Sequence, residues 1–319
     1  MDKQHQGDQA FRAESLYGRR AEMTYGGALS FLRRPYTREI GGADVVVSGL
    51  PFDLATTNRP GARFGPQSIR AASTQLAELD AFPWGFDPFD HLAVADWGDC
   101  YLPPGHPSAM EAAMLSHARD ILATGARMLT LGGDHYITWP LLCAHAEQHG
   151  PLALIQFDAH PDTWPDDGRP LDHGTMIGRA VREGVIDPER SVQIGIRTHA
   201  PDLGITVLDA PWVHAHGPQA VLERIRAIVD NHPTYLTFDI DCLDPAFAPG
   251  TGTPVAGGLS TAQALAILRG LDGVAIIGMD LVEVAPAYDH GQITALAGAT
   301  LGHDFLCLMA ALKRRAGGD

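Results

Sequence analysis

Carboxylates and imidazoles at regular spacing mark the parts of this chain that could do chemistry. In 157-FDAHPDTW-164, Asp158, His160 and Asp162 occupy alternate positions directly after an apolar run. Side chains at i, i+2 and i+4 of an extended segment share one face, so these three groups can converge on a common point. The spacing predicts two carboxylates and an imidazole clustered at the end of a strand.

Two further motifs have the same character. They are 132-GGDH-135, which contains His135, and 238-FDIDCLDP-245, which contains Asp239 and Asp241 at alternate positions. Each follows an apolar run rich in β-branched and large hydrophobic residues. Ligands of open parallel sheets bind outside the carboxyl ends of the strands. The three motifs are therefore predicted to meet at one edge of a sheet.

Together the motifs would pack four carboxylates and two imidazoles at that edge. Such a cluster carries a desolvation cost of several kcal/mol for each uncompensated ion, which bound cations remove. One divalent ion could not use all six groups without crowding, whereas two ions sharing bridging carboxylates could. Oxygen ligands with imidazole and no thiolate favour manganese. The predicted ligands of this binuclear site are His135, Asp158, His160, Asp162, Asp239 and Asp241.

Each motif taken alone also fits a simpler interpretation. The DxHxD run could be a solvated loop or a satisfied buried pair. Asp134 could cap a helix beginning near residue 136. Asp244 and Pro245 could be ordinary turn residues. The coincidence of all three motifs at predicted strand ends favours the metal site.

The elements that must position these groups alternate between apolar runs and amphipathic stretches. This alternation predicts an α/β fold with a parallel sheet covered on both faces. We also predict one domain over residues 1–319, with residues 1–30 as an N-terminal arm. The predicted strands are 43–50, 92–97, 127–132, 152–158, 191–196, 205–209, 234–240 and 273–281, and the predicted helical segments are 108–125, 218–230, 261–270 and 295–315.

The composition of the chain limits the classes of partner that it can bind. Its 319 residues include 38 acidic and 23 basic side chains, for a net charge of −15, which argues against nucleic acid and is compatible with a cationic substrate. No apolar run approaches the roughly 20 residues that span a bilayer, and the polar start is unlike a signal peptide. We therefore expect a cytoplasmic protein with no membrane partner. The four cysteines show no CxxC spacing, so reduced thiols are expected.

With these motifs the sequence resembles the ureohydrolases, the arginase/agmatinase family, and within it most of all the bacterial agmatinases. The resemblance rests on GGDH, FDAHPD and 238-FDIDCLDPAFAPGTGTPVAGG-258, and it extends from about residue 31 to the final helix. It implies a three-layer α/β/α sandwich around a mainly parallel eight-stranded sheet. It also implies a homo-oligomer, either a trimer or a hexamer.

The resemblance further implies two Mn2+ ions per subunit, with Asp158 and Asp239 bridging them. The motif 172-DHG-174 implies that His173 shuttles a proton and contacts substrate, and 280-DLVEVAP-286 implies that Glu283 binds a guanidinium group. Taken from the residues alone, His173 is an ordinary loop histidine and Glu283 could be structural. One ion would take His135, Asp158, Asp162 and Asp239, and the other Asp158, His160, Asp239 and Asp241.

The implied activity is hydrolysis of agmatine to putrescine and urea, a step of polyamine biosynthesis. Asp162 would orient the attacking water, Glu283 would fix the guanidinium, and His173 would supply a proton to the departing amine. The alternatives are a guanidinobutyrase or another guanidino-acid ureohydrolase, a non-catalytic metal-binding scaffold, and a single-zinc deacetylase on a related fold. Arg169 is the feature that would suit a carboxylate-bearing guanidine.

The loop 163-TWPDDGRPLDHG-174 bears on this choice. It lacks the Asn and Ser with which arginases hold an α-amino acid head group, and its Asp166, Asp167 and Asp172 would suit a distal ammonium. Pro161 and Trp164 stand where agmatinases usually carry Thr and Tyr. We expect Trp164 to line or narrow the substrate channel.

Overall fold

Eight strands form one central sheet, and all of its strand pairings are parallel. The computed structural model describes residues 16–17, 23–77, 79–166 and 171–317. The order of the strands across the sheet is β2-β1-β3-β8-β7-β4-β5-β6. Their bounds are Val45–Leu50 (β1), Val94–Asp99 (β2), Arg127–Gly132 (β3), Ala153–Phe157 (β4), Val192–Ile194 (β5), Thr206–Leu208 (β6), Thr234–Asp239 (β7) and Ile276–Val282 (β8).

Helices cover both faces of the sheet. Side chains alternate between the faces of a strand, so Val45 and Val47 of β1 pack into one apolar core while Val46 packs into the other. The first core contains α1, α5, α6 and α7, and the second contains α2, α3 and α4. The predicted three-layer α/β/α sandwich is confirmed. The helices are Gly65–Ser73 (α1), Pro107–Leu122 (α2), Thr138–His149 (α3), Met176–Arg182 (α4), Ala210–Val229 (α5), Thr261–Arg269 (α6) and Ile293–Gly317 (α7).

Helices α1, α3 and α4 are absent from the segments predicted by periodicity. Helices α1 and α4 are short, and the first nine residues of α3 are buried or half-buried, so they show no polar stripe. Helix α5 begins eight residues before the predicted segment 218–230, because Gly217 has a positive φ of 76° and joins two helical halves. Only the half after this kink was predicted.

Helix α7 corrects the expectation that no segment is apolar enough to cross a bilayer. Of the helices in the described ranges, it alone meets that condition by length and composition. His303 and Asp304 interrupt its apolar run, which hides it in the sequence. Asp304 accepts from Trp84 Nε1 at 2.5 Å and from Arg269 Nε at 2.9 Å. Since 78% of its apolar window is buried, α7 is a core helix of its layer.

The predicted arm, residues 1–30, falls mostly outside the described residues, of which only 16–17 and 23–30 belong to it. The assignment of the whole chain to one domain stays a prediction.

The strand order explains where the three motifs lie. Strands β3, β8, β7 and β4 are consecutive neighbours in the middle of the sheet. His135 follows β3, Glu283 follows β8, Asp239 ends β7 and Asp158 follows β4. Since parallel strands end at the same edge, all the predicted groups are brought to one central stretch of it.

Candidate active site

His135 and its neighbour Asp134 take different roles after β3. Asp134 caps the short 3-10 helix His135–Ile137, because its carboxylate accepts from the backbone N–H of Tyr136 at 3.1 Å. The same carboxylate accepts from the N–H of Ala55 at 2.8 Å. The capping interpretation of Asp134 is therefore right, and it is the ring of His135 that reaches the cluster.

The first half of the cluster is centred on His135. Its Nδ1 lies 3.0 Å from Asp158 Oδ2, 3.0 Å from Asp162 Oδ2 and 3.2 Å from Asp239 Oδ2. All four side chains are buried. Despite these distances, Nδ1 makes no hydrogen bond. A buried nitrogen facing three carboxylate oxygens is a donor set that suits a cation.

The second half is centred on His160. Its Nδ1 lies 3.4 Å from Asp158 Oδ1 and 3.2 Å from Asp241 Oδ2. Backbone N–H groups hold the carboxylates in place: His160 donates to Asp158 Oδ1 at 2.7 Å, and Asp241 donates to Asp239 Oδ1 at 2.8 Å. Asp158 belongs to both halves. The cluster thus offers two adjoining groups of residues that could hold a divalent metal, His135–Asp158–Asp162 and Asp158–His160–Asp241. Asp239, the sixth residue singled out by the sequence, lies beside His135 in the first group.

The protonation of the cluster reflects its crowding. Burial, with the nearby Asp158 charge, raises the pKa of Asp162 to about 7. Burial together with the charges of Asp241 and Asp158 raises the pKa of Asp239 well above its usual value. Burial opposes ionisation of Asp158 too, but contacts with His135 and His160 lower its pKa. A divalent cation would let every carboxylate ionise, because its own charge dominates the local electrostatics.

His173 and Glu283 form a pair beside the cluster. His173 Nδ1 lies 2.7 Å from Glu283 Oε1, and the same oxygen accepts from the backbone N–H of His135 at 2.8 Å. On the other side of the ring, His173 Nε2 lies 2.7 Å from Thr57 Oγ1. Burial lowers the pKa of His173, but the Glu283 carboxylate outweighs it, so the pKa rises to about 9.

Glu283 itself is fully buried. Its second oxygen, Oε2, makes no hydrogen bond. A Cβ at Gly252 would lie 3.4 Å from that oxygen, so glycine keeps the space beside it open. Glu283 and Asp162 also share a left-handed backbone, with φ of 64° and 53°. Such a conformation is uncommon outside glycine and is often found at functional sites.

A cavity of about 360 Å3 opens onto the cluster. In the part of its wall that the structure describes, the carboxylates are Asp162, Asp172 and Asp239, and no lysine or arginine is present. The Trp164 ring lies 6.2 Å from the His160 ring. The backbone N–H of Trp164 donates to the backbone oxygen of Gly174 at 3.1 Å. The wall consists of Thr57, His160, Asp162, Trp164, Pro165, Asp172, His173, Gly174, Thr175, Asp239 and Thr253.

The sequence motifs did not single out Thr57 and Thr253. Thr57 contacts His173, and Thr253 Oγ1 donates to Asp241 Oδ2 at 3.2 Å. Nothing in their local pattern distinguishes them from loop threonines, so only the fold reveals them. Among the loop residues named from the sequence, Asp167 and Arg169 lie outside the described residues.

Known proteins share this sequence and fold. The chain is 58% identical over 311 residues to an agmatinase of Chromobacterium violaceum, covering 97% of each. A crystal structure of a hypothetical agmatinase from Burkholderia thailandensis is 64% identical with a TM-score of 0.96, covering 97% of this chain and 98% of that one. Proclavaminate amidino hydrolase from Streptomyces clavuligerus is 40% identical with a TM-score of 0.86, covering 91% of this chain and 99% of that one.

A family model agrees with these similarities. The model of the arginase family matches residues 43–307, a span that contains all six clustered histidines and aspartates as well as His173 and Glu283. The resemblance to the ureohydrolases inferred from the motifs is confirmed. The chain belongs to the arginase family.

Proposed function

We propose that this protein is a manganese-dependent hydrolase that converts agmatine to putrescine and urea, as in polyamine biosynthesis. The observation that carries the proposal is a double cluster of metal-type ligands that opens into a cavity whose described wall contains carboxylates and neither lysine nor arginine. Agmatine is a guanidine with a cationic tail, so both of its ends suit such a cavity. The names of relatives such as the Chromobacterium violaceum protein support the same substrate.

The residues of the cluster fit two Mn2+ ions. The buried Nδ1 of His135 has no hydrogen-bond partner, and the remaining ligands are oxygen atoms and one further imidazole nitrogen. Asp158 and Asp239 would help to hold both ions. Bound divalent ions of this kind acidify water at the site and neutralise the carboxylates around it.

The substrate guanidinium needs an acceptor that fixes its plane. Glu283 offers one, because its Oε2 has no hydrogen-bond partner whereas Oε1 is occupied by His135 and His173. A charge-assisted hydrogen bond to this oxygen would hold the guanidinium carbon close to the cluster. Since Glu283 has no exposed surface, wall atoms must move aside for the guanidinium to reach it. Asp162 would accept a hydrogen bond from the attacking water and orient it.

The departing amine needs a proton when its C–N bond breaks. His173 lies in the cavity wall, and Glu283 favours its protonated form. We assign His173 as the general acid that donates this proton, which leaves urea and a neutral amine. Thr57 contacts the other ring nitrogen: its backbone N–H donates to His173 Nε2 at 3.2 Å, and its hydroxyl lies 2.7 Å from the same atom.

A guanidino acid is the second candidate substrate. The fold also serves a protein named proclavaminate amidino hydrolase, so it accommodates more than one amidine. A carboxylate tail would meet the Asp172 carboxylate in the wall. A non-catalytic metal-binding scaffold would not need the His173–Glu283 pair, and a single-zinc deacetylase would not need ligands for two ions. These features favour agmatine hydrolysis over all three alternatives.

The test is urea release from metal-stripped protein reloaded with manganese. Agmatine, 4-guanidinobutyrate, 3-guanidinopropionate and arginine are supplied in parallel, and His173→Asn serves as a matched control that leaves the cluster intact. We expect release from agmatine alone to be large and to require manganese, with kcat of His173→Asn lower by about 10³-fold. A higher kcat/KM on another guanidine would overturn the substrate. Background release from every guanidine would overturn the hydrolase.

We also propose a cytoplasmic homo-oligomer, either a trimer or a hexamer, whose only ligands are small guanidines and metal ions. Light scattering coupled to size exclusion measures the assembly directly, and a monomer at micromolar concentration would contradict it.

A further inference from the structure

A row of buried polar side chains crosses the sheet beneath the metal-type cluster. Its members lie in register on adjacent strands, two residues before the strand ends that carry Asp158 and Asp239. They therefore share the face of the sheet that those two aspartates occupy. We call these residues the polar row: Gln193 (β5), Gln156 (β4), Thr237 (β7), Asp280 (β8) and Thr130 (β3).

All five members of the polar row are at most 1% exposed. Strands buried on both faces of a parallel sheet are normally continuous apolar runs. Burying a carboxylate there is costly unless it is paired or fully hydrogen-bonded. No lysine or arginine of the described chain forms an ion pair with Asp280, the charged member. Packing alone therefore does not explain why these polar side chains are buried here.

Asp280 is satisfied by hydroxyl groups instead. It accepts from Thr237 Oγ1 at 2.5 Å, from Thr138 Oγ1 at 2.9 Å and from Tyr235 OH at 3.0 Å. Asp280 is the acceptor in all three bonds, so each hydroxyl gives its single hydrogen to it. Thr237 Oγ1 then has no hydrogen left to donate and can only accept a further hydrogen bond.

His135 continues this chain toward the cluster. Its Nε2 lies 2.8 Å from Thr237 Oγ1. Because Thr237 has already given its hydrogen to Asp280, Nε2 must be the donor and carry the ring proton. In the neutral ring, Nδ1 then keeps its lone pair, and Nδ1 is the atom that faces Asp158, Asp162 and Asp239.

We propose that Thr237 and Asp280 are positioning residues that hold His135 in the Nε2–H tautomer and direct its Nδ1 at a bound cation. A metal-binding histidine usually donates its other N–H to such a partner, which fixes the ring and increases the basicity of the ligand atom. Here the partner is a threonine hydroxyl backed by a buried aspartate. The assignment rests on the proposed metal-dependent function, since it concerns a ligand of that site.

The polar row also contains its own control. Thr130 lies beside Asp280 in the register of β3 and β8, and it is as buried as Thr237. Its hydroxyl makes no hydrogen bond. Thr130→Val and Thr237→Val are therefore the same chemical change at two positions of one row, and only the second breaks the link to His135.

The experiment measures Mn2+ affinity by the EPR signal of free Mn2+ during titration of the apo-protein. Wild-type protein is compared with Thr237→Val, Thr237→Ser, Asp280→Asn and Thr130→Val, and circular dichroism checks folding. We expect Thr237→Val and Asp280→Asn to weaken binding of one ion by about 10–100-fold. Thr237→Ser restores the hydroxyl and should restore the affinity, and Thr130→Val should bind like wild type.

Equal affinity of Thr237→Val and wild type for both ions would overturn the positioning role and leave the proposed function intact. Wild-type protein that binds no Mn2+ would instead overturn the proposed metal site itself. An equal loss of affinity in Thr130→Val would also overturn the proposal, because it would trace the effect to core packing. Should Thr237→Val not fold, Asp280→Asn carries the same comparison, because it keeps the volume of the side chain and removes its charge.

Discussion

The floor and the mouth of the cavity are built in different ways. The floor consists of the six clustered histidines and aspartates, which lie at or after the ends of β3, β7 and β4 in the middle of the sheet. Backbone N–H groups hold two of its carboxylates. We use mouth for the wall residues Trp164, Pro165 and Asp172, which come from the stretch 163–174. The floor is fixed by the fold, whereas the mouth depends on the path of one connection. This difference suggests that the reaction belongs to the floor and the choice of substrate to the mouth.

The relatives agree with that division. A protein 40% identical to this one, with a TM-score of 0.86, carries the name of a different amidino hydrolase. The shared fold can supply the same central strand ends in both chains. Loops accept sequence change more readily than buried strands, so differences in substrate can arise at the mouth.

Asp158→Asn tests the floor and should have the largest effect. Asp158 contacts both His135 and His160, so the change removes a charge shared by the two halves of the cluster. We expect the bound manganese to fall well below two ions per chain and kcat/KM to drop by about 10⁴-fold, or about 5 kcal/mol of transition-state stabilisation. Metal analysis and urea release measure the two losses. Full metal content with full activity would show that the halves do not depend on this residue.

A buried histidine far from both regions gives a reference for acid sensitivity. Burial, helped by the Arg38 charge, lowers the pKa of His117 to about 4, and its ring stacks on Trp97 at 5.0 Å. The unfolded chain then binds more protons between pH 4 and pH 6.5. Stability is therefore complete above about pH 6.5 and is lost as the pH falls toward 4, by on the order of 3 kcal/mol.

Chemical denaturation of the apo-protein at several pH values measures this loss. His117→Phe keeps the aromatic stack and removes the titrating group, so its stability should depend less steeply on pH over that interval. Identical pH dependence in wild type and His117→Phe would contradict the assignment of this loss to His117.

Asp172→Asn tests the mouth and should have the smallest effect. Its Oδ1 accepts from the Gly174 N–H at 2.9 Å, a bond that asparagine can keep, and the change removes the negative charge of the side chain. We expect kcat/KM for agmatine to fall about 10-fold, worth about 1.4 kcal/mol, while kcat/KM for 4-guanidinobutyrate is unchanged or higher. Steady-state kinetics on both substrates decide the point. Equal losses of kcat/KM on the two substrates would show that residues other than Asp172 recognise the tail.

The floor could be predicted from the sequence because its groups follow strands at alternate positions. Spacing alone brought Asp158, His160 and Asp162 to one face, and the order of apolar runs brought Asp239 to the same edge. Glu283 and His173 were found only through the family resemblance, since a single glutamate or histidine carries no spacing signal.

The contact between Thr237 and Asp280 beneath the cluster could not be predicted from the sequence. Thr237 and Asp280 are separated by 43 residues and meet only because β7 and β8 are neighbours. Threonine is common in strands for its shape, so its hydroxyl gives no separate signal in the sequence. Helix α3 had no amphipathic pattern, because its first nine residues are buried or half-buried, and only the capping pattern of Asp134 pointed to it.

The left-handed backbone at Asp162 and Glu283 limits how this chain can change over evolution. Aspartate tolerates that conformation better than most residues, so position 162 meets the demands of backbone and chemistry together. Glutamate has no such tolerance, and glycine would relieve the backbone at 283 while removing the carboxylate. With the proposed role of Glu283 in binding the guanidinium, backbone stability and turnover favour different residues at position 283.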